Sequence, residues 1–559
     1  MKYKAYLMNS LDTVFYDSEI DNDTLEYAQM FKNEAFSFQV AFKAELEPNE
    51  GNGWNDVTEI RAEVKSELKN KINVYFVENV PAIRVGYSTS DDWFLRKTPG
   101  LYPDCLHGRK GDLFSVPVGY WKGVWINVNE QLDEVAAGSY EITLNFYERK
   151  TDKIIAHRVV TVEVMDRFLP KQDIVLTNWF HYDCISYFSE TEPFSEDYLC
   201  VLRKYILMAA KNGQNMILTP AFTPPLDTPI GGERKTAQLV SIEKNGDEYF
   251  FDFSMLKKFI ELALECGIEY FEHSHLFTQW GAEHTPKIII NEGGKALKFF
   301  GWNTDACSNE YKNFLHSYLT ALKAFLKNNG YEKRFFFHIS DEPDEKHLKN
   351  YEKLSNFLHN ELAEYPSGDA LSEYAFYKDG LVQTPIVVTR SIKNFLGKAD
   401  PLWLYYTGYE CDGNMSNRLI GMPQERGRIL GVELYYFGIK GFLNWGFNAH
   451  HNRLSRMMIN PRMSSDMDCD FVGGTSYVVY SDGKNVDASV RLMTMRDQMQ
   501  DTRALRLLEQ LTDREYVMSI IRRYIPDISF NCRVSANQIL NLRKTVNEEI
   551  KERSGNKRR

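Results

Sequence analysis

Strict alternation of apolar and polar positions marks the first 168 residues. Phe36-Ser37-Phe38-Gln39-Val40-Ala41-Phe42 alternates, and so do Gly123-Val124-Trp125-Ile126-Asn127-Val128 and Tyr140-Glu141-Ile142-Thr143-Leu144-Asn145-Phe146. A period of two is the mark of a strand with one buried face. The last of these runs leads to Arg158-Val159-Val160-Thr161-Val162-Glu163-Val164, a hairpin pattern. Several short strands of this kind predict a β-sandwich over residues 1–168, with Arg167-Phe168-Leu169-Pro170 as its exit.

From residue 172 the pattern changes. Short apolar runs at 174–180, 215–219, 268–271, 334–340, 373–377, 386–389, 402–406 and 441–446 alternate with helical periodicity at 196–211, 253–266, 309–327, 345–363 and 424–437. Strands that alternate with helices predict an α/β fold, a TIM-type eight-stranded βα barrel over 172–462. Two long excursions, 222–246 and the segment carrying Trp280 and Trp302, fall between a strand and its helix, where binding loops belong. Residues 463–559 return briefly to β at 475–480 and then to helix at 489–511 and 533–554. This small β piece and its helices are expected to pack on the barrel.

One stretch joins the pattern to chemistry. Arg334-Phe335-Phe336-Phe337-His338-Ile339-Ser340 reads as a buried strand and stops on two adjacent carboxylates, Asp341-Glu342, followed by Pro343-Asp344-Glu345. A parallel barrel places its functional groups at the carboxyl ends of strands. The same residue types also suit the first turn of a helix, where the dipole favours acids and Pro loses no hydrogen bond. The barrel pattern around the motif favours the chemical reading.

Composition narrows the partners. The 559 residues carry a net charge of −11, which argues against nucleic acid or an anionic membrane as main partner. The basic run at 551–559 reads as a solvated tail. Aromatics reach 14%, enough to line a sugar site as well as fill cores. The N-terminus has no signal-peptide pattern, and the eight cysteines are scattered without a CxxC pair, so free thiols and a cytoplasmic location are expected. His273-Ser274-His275 and His450-His451 have no further ligands at metal spacing, so neither metal nor cofactor is expected. The oligomeric state stays open.

Several stretches, taken in order, carry a resemblance. They are Glu34–Val40, Ser340-Asp341-Glu342-Pro343, Trp403-Leu404-Tyr405-Tyr406-Thr407, Asn417-Arg418, Glu425-Arg426, Gly441–Asn448, and Ser489-Val490-Arg491 with Arg496-Asp497 and Asp501. On these the chain resembles glycoside hydrolase family 123 and a wider group sharing its C-terminal half, a domain of unknown function. The resemblance implies a barrel behind a β-sandwich and hydrolysis of β-linked N-acetylgalactosamine from glycan ends. It implies Glu342 as general acid/base and Asp341 as the group that holds the 2-acetamido substituent.

The spacing agrees with that mechanism. Glycosidases with two working carboxylates hold them about 5–5.5 Å apart when retaining and about 6.5–9.5 Å apart when inverting. Neighbours on one strand start towards opposite faces and suit neither plan. If the substrate's own acetamido oxygen attacks C1, the enzyme needs one proton donor and one carboxylate to orient the amide. Mutual repulsion, with Asp344 and Glu345 close in sequence, favours keeping one acid protonated. Trp445 and Asn448 are expected at the floor of the sugar pocket, Tyr406 as a donor to the acetamido oxygen, and His275 and Trp302 as further substrate contacts. Two alternatives remain: a retaining β-glycosidase with a protein nucleophile, and a catalytically silent carbohydrate-binding protein. N-acetylglucosamine remains open as the sugar.

Overall fold

The computed structural model describes residues 1–47, 57–108, 113–343 and 345–555. Asp344 and residues 556–559 of the basic tail lie outside the described residues. The alternating N-terminal segments form two sheets. Lys2–Asn9, Phe36–Glu45, Trp121–Val128, Ile72–Ala82 and Gly100–His107 lie side by side in one; Tyr27–Phe31, Lys153–Met165, Gly138–Glu148, Val57–Lys65 and Leu113–Pro117 form the other. Phe38, Val40, Phe42 and Ile126 meet Ile60, Ile142, Phe146 and Val162 between them. Val57–Lys65 alternates between buried and open positions, as a solvent-backed strand does. Phe36–Glu45 is buried almost throughout: the segment after Asn9 covers its outer face at Gln39, Trp121 covers it at Ala41, and a helix meets it at Ser37.

That helix, Val490–Leu511, ties the halves together. Arg496 donates to Ser37 Oγ (2.8 Å) and Asn127 Oδ1 (3.1 Å) in the sandwich. Ala504, Leu505 and Leu508 pack on Ile429, Val432 and Tyr435 of the barrel helix Gln424–Phe437. The β piece before it joins the sandwich: Val479–Asp482 and Asn485–Ser489 form a hairpin that extends the first sheet beside Gly100–His107. At this junction buried Arg491 donates to Asp104 (2.8 and 3.1 Å) and to the carbonyls of Gly474 (2.7 Å) and Tyr477 (2.9 Å). Removing one partner of such a pair strands a buried charge. Arg491→Ala is therefore expected to cost about 3–5 kcal/mol in chemical denaturation. A loss under about 1 kcal/mol, the range of an exposed pair, would show the pair to be dispensable.

The barrel strands are, in chain order, Val175–Asn178, Met216–Thr219, Tyr270–His273, Phe335–His338, Ser367–Leu371, Thr384–Val388, Trp403–Tyr405 and Gly441–Asn444. Every pairing among them is parallel, and the spatial order runs first, eighth, seventh and so on down to second. The ring is nearly closed. First and second strands meet through Asn215, whose amide donates to Leu176 O (3.2 Å) and whose side-chain oxygen accepts from Leu176 N (2.8 Å).

Two expectations change. The strand expected at 373–377 lies earlier, at Ser367–Leu371, and Tyr374–Lys378 is helical. The true strand carries small and polar residues because its neighbours press on it: a Cβ at Gly368 would sit 2.4 Å from Thr384 O and 2.7 Å from the Phe336 ring. The two long excursions are also more than loops. They contribute Ser241–Asn245 and Glu248–Asp252 from one, Ile288–Glu292 and Lys295–Phe300 from the other, to a single four-stranded sheet. Both leave the carboxyl ends of barrel strands, so this sheet stands over the same end as Asp341 and Glu342.

Candidate active site

The fourth barrel strand stays tethered beyond its last regular residue. Ile339 N donates to Gly368 O (3.2 Å), Phe277 N to Ile339 O (3.0 Å), Trp280 N to Asp341 O (2.8 Å) and Glu342 N to Ala370 O (3.0 Å). Both acids are thus fixed from the fifth strand on one side and from the segment that follows the third on the other. Alternation alone sends adjacent side chains to opposite faces, yet both line one cavity. The extended geometry ends here: Glu342 has φ 49°, left-handed backbone that costs a non-glycine residue of order 1–3 kcal/mol. Asp227 (φ 39°), Trp280 (φ 61°) and Leu454 (φ 62°) share this conformation and line the same cavity. Strain of this kind gathers where structure is shaped for function.

The cavity holds about 490 Å³, ample for a sugar ring and part of a second. Its walls are aromatic: Trp179, Trp280, Tyr405, Tyr409, Trp445 and Phe471. Among the described residues its charged groups are Asp227, Asp341, Glu342 and Arg453. Such amphipathic walls suit sugars, whose C–H faces stack on rings while hydroxyls meet polar groups.

Of the residues expected from the sequence, Asp341, Glu342 and Trp445 line this cavity. Tyr406 does not. Trp403 and Tyr405 face the barrel interior with Phe336, Ile386 and Leu443, so Leu404 and Tyr406 face the surrounding helices, and Tyr406 packs on Phe442 (4.9 Å between ring centres). Tyr405 takes the place expected for its neighbour, its hydroxyl donating to Glu342 Oε1 (2.9 Å). Asn448 is a buried staple: its Oδ1 accepts from His181 N (2.9 Å) and its Nδ2 donates to His181 O (3.1 Å). Trp302 sits half-buried beside His284 in a separate small recess under the four-stranded sheet. His275 is buried beneath the cavity, between Trp179 (4.9 Å) and His338 (4.5 Å). The sequence reading passed over Trp179, Asp227, Gln279 and Arg453 as lining groups. A polar or aromatic residue just after a barrel strand is the one signal that could have pointed to Trp179.

The electrostatics favour a shared proton. Burial, and then the neighbouring Glu342, push the Asp341 carboxyl well above the usual range, while His338 pulls the other way. Burial also raises Glu342, with Glu410 adding to the rise and the Tyr405 hydroxyl opposing it. Two such carboxyls in one pocket cannot both ionise easily. Burial lifts Asp227 to about 6; its Oδ2 accepts from Leu454 N (2.8 Å).

Among the described residues two largely buried sets of donor atoms lie close enough to suggest a metal. His181, Asp183, Cys184 and His451 bring donor atoms within 4.8 Å of one another. Arg234 is already among them, paired through two nitrogens with Asp183 (2.6 and 3.0 Å) and 3.1 Å from a ring nitrogen of each histidine. A guanidinium therefore supplies the positive charge there. His275, His338 and Asp341 form the second set, and His338 is engaged by Glu272 at 2.9 Å.

A model of the glycoside hydrolase 123 catalytic domain matches residues 179–508, more than half of the chain. The chain belongs to glycoside hydrolase family 123. It is a glycoside hydrolase by that membership. The family-123 match begins at Trp179, next to the first barrel strand, and takes in the acid pair, the hairpin and most of the connecting helix. Among solved structures, the fold of this family-123 chain is similar along its whole length to a family 123 glycoside hydrolase from Clostridium perfringens studied for glycolipid glycan hydrolysis. Identity is 13%, coverage 100% of this chain and 98% of that one, and the TM-score 0.71. A family 39 glycoside hydrolase from Bacteroides cellulosilyticus (9% identity, 85% and 81% covered, TM-score 0.32) and Bacteroides uniformis β-glucuronidase 2 (11%, 86% and 50%, 0.30) are much more distant. No curated protein matches the sequence. Among the described residues no helix is long and apolar enough to cross a membrane.

Proposed function

We propose that this family-123 chain removes β-linked N-acetylhexosamine, N-acetylgalactosamine foremost, from the ends of glycans by a substrate-assisted retaining mechanism. Glycolipid glycans are the substrate class suggested by the Clostridium perfringens relative. The reading rests chiefly on two adjacent carboxylates that share one aromatic-walled cavity. Asp341 accepts the amide N–H of the 2-acetamido group and stabilises the positive charge that grows as its oxygen attacks C1. Glu342 protonates the departing glycosidic oxygen and then, as the base, activates the water that opens the oxazolinium ring. A substrate amide donating to Asp341 favours its ionised form and leaves the shared proton on Glu342, where the leaving group needs it. Trp445 and Trp280 offer faces for the sugar ring.

Turnover of matched p-nitrophenyl β-glycosides of N-acetylgalactosamine, N-acetylglucosamine and galactose tests this. Hydrolysis of the 2-acetamido sugars alone is expected, and equal turnover of the galactoside would sink the mechanism. Among the described residues the competing reading, a protein nucleophile, has one structural candidate, because Asp227 is the remaining described carboxylate on the cavity wall. Its rise to about 6 suits a group held partly neutral better than a nucleophile. Hydrolysis of the galactoside that vanishes in Asp227→Ala would favour that reading.

Tyr405→Phe gives a smaller, signed effect. The hydroxyl lowers the Glu342 pKa by donating to its carboxylate. Its removal raises that pKa, so the basic limb of the kcat profile is expected to move to higher pH. A limb that stays in place would show that this bond does not tune the acid.

A further inference from the structure

Beneath Asp341 the barrel holds a row of buried charges that the proposed reaction does not touch directly. His338 lies three residues earlier on the same strand and is fully buried. Its Nδ1 hydrogen-bonds Glu272 Oε1 on the third strand (2.9 Å), and its Nε2 lies 3.4 Å from Asp369 Oδ1 on the fifth, within ion-pair reach but not aligned as a hydrogen bond. One of its ring nitrogens also lies within 4.8 Å of an Asp341 oxygen. The flanking carboxylates are held in turn. Trp179 Nε1 (2.9 Å) and Thr177 Oγ1 (3.0 Å) donate to Glu272; Tyr351 Oη (2.7 Å) and Ser340 N (3.3 Å) donate to Asp369. The remaining side of the ring meets His275, which burial and the adjacent His338 keep neutral, and the edge of Trp179. An imidazole with a carboxylate at each nitrogen serves both only when both nitrogens carry protons, as a cation.

We propose that His338 is a positioning residue for the reaction: its imidazolium, bonded to Glu272 and ion-paired with Asp369, is the counter-charge that favours the ionised form of Asp341 once the substrate amide also donates to it, and so directs the shared proton to Glu342. The inference rests on the substrate-assisted reading above. Without substrate the balance at Asp341 is upward, and His338 is the charge that opposes it. The two carboxylates lift His338 to about 10 against the opposing effect of burial. Burial, Glu342, Asp369 and Glu272 all push Asp341 up, and His338 pulls it down.

The test is the pH profile of kcat on p-nitrophenyl β-N-acetylgalactosaminide, whose acid limb reports Asp341 ionisation. In His338→Gln the cation is gone, Asp341 is harder to ionise, and the limb is expected to move up by about one unit or more, about a tenfold loss of rate on the acid side, with KM changing less. In Glu272→Gln a nearby anion is gone while Asp369 still supports the imidazolium, so the limb is expected to move down. A purely structural role predicts lost activity in both variants without opposite shifts. Limbs that stay put, or move the same way, overturn the proposal. Should His338→Gln fail to fold, Glu272→Gln alone decides: a downward shift supports the proposal, and no shift or an upward one overturns it. Failure of the underlying mechanism shows separately, as galactoside turnover by the wild type, and removes this role with it.

Discussion

Asp341→Asn is expected to lose roughly 10²–10³-fold in kcat on a 2-acetamido substrate, the effect of deleting one preorganised electrostatic contact to a developing charge. The amide N–H becomes strongly acidic as the acetamido oxygen bonds to C1, and only an ionised acceptor offsets that charge. Asparagine keeps the shape and the tether through Trp280 N but presents a neutral dipole. The loss should fall on kcat more than on KM, because the charge exists in the transition state and hardly in the ground state. A thiazoline analogue of the oxazolinium intermediate gives an independent readout: it should inhibit the wild type strongly and the variant weakly. Unchanged kcat, with unchanged inhibition, would remove Asp341 from the mechanism.

Glu342→Gln is expected to separate substrates by leaving group. On a natural glycan, whose leaving alkoxide must be protonated, the loss should be roughly 10²–10⁴-fold. On a dinitrophenyl glycoside, whose leaving group departs without help, formation of the oxazolinium should be nearly unaffected. The rate then falls back on the ring-opening step, which also needs Glu342 as base. A burst of dinitrophenol followed by slow turnover is the expected signature, and a first step slowed as much as on the natural glycan, with no burst, would assign Glu342 another role. Glutamine keeps the bond from Tyr405 and the left-handed backbone at this position. The fold should therefore survive, and a normal melting transition is the control.

Much of this was legible along the chain, and for local reasons. The strands of the sandwich announce themselves because a one-sided environment forces period two. The helices announce themselves by periodicity and by their ends: Ser195 and Ser308 accept from Tyr198 N and Tyr311 N at the N-caps, and Gly330 closes a helix in left-handed conformation. The acid pair was readable because a hydrophobic strand that stops on carboxylates needs no distant information to be noticed. The strand at Ser367–Leu371 was missed because its smallness answers to Thr384 and Phe336, residues on other strands.

Local pattern along the chain accounts for the alternation of strand and helix, the place of Asp341 and Glu342 at a strand end, and the family. Tertiary structure decided which side chains meet there. Period two says that Tyr405 and Tyr406 face opposite ways, but only the packing of Trp403 against Phe336 says which of them faces inward. Trp280 reaches the cavity because its N–H is held by Asp341 O, far along the chain, whereas Trp302 follows the strand Lys295–Phe300 into a separate recess. The row Glu272–His338–Asp369 forms across three strands whose order no local pattern encodes. Parity and propensity act between neighbours in sequence, whereas charge pairing and burial act between neighbours in space.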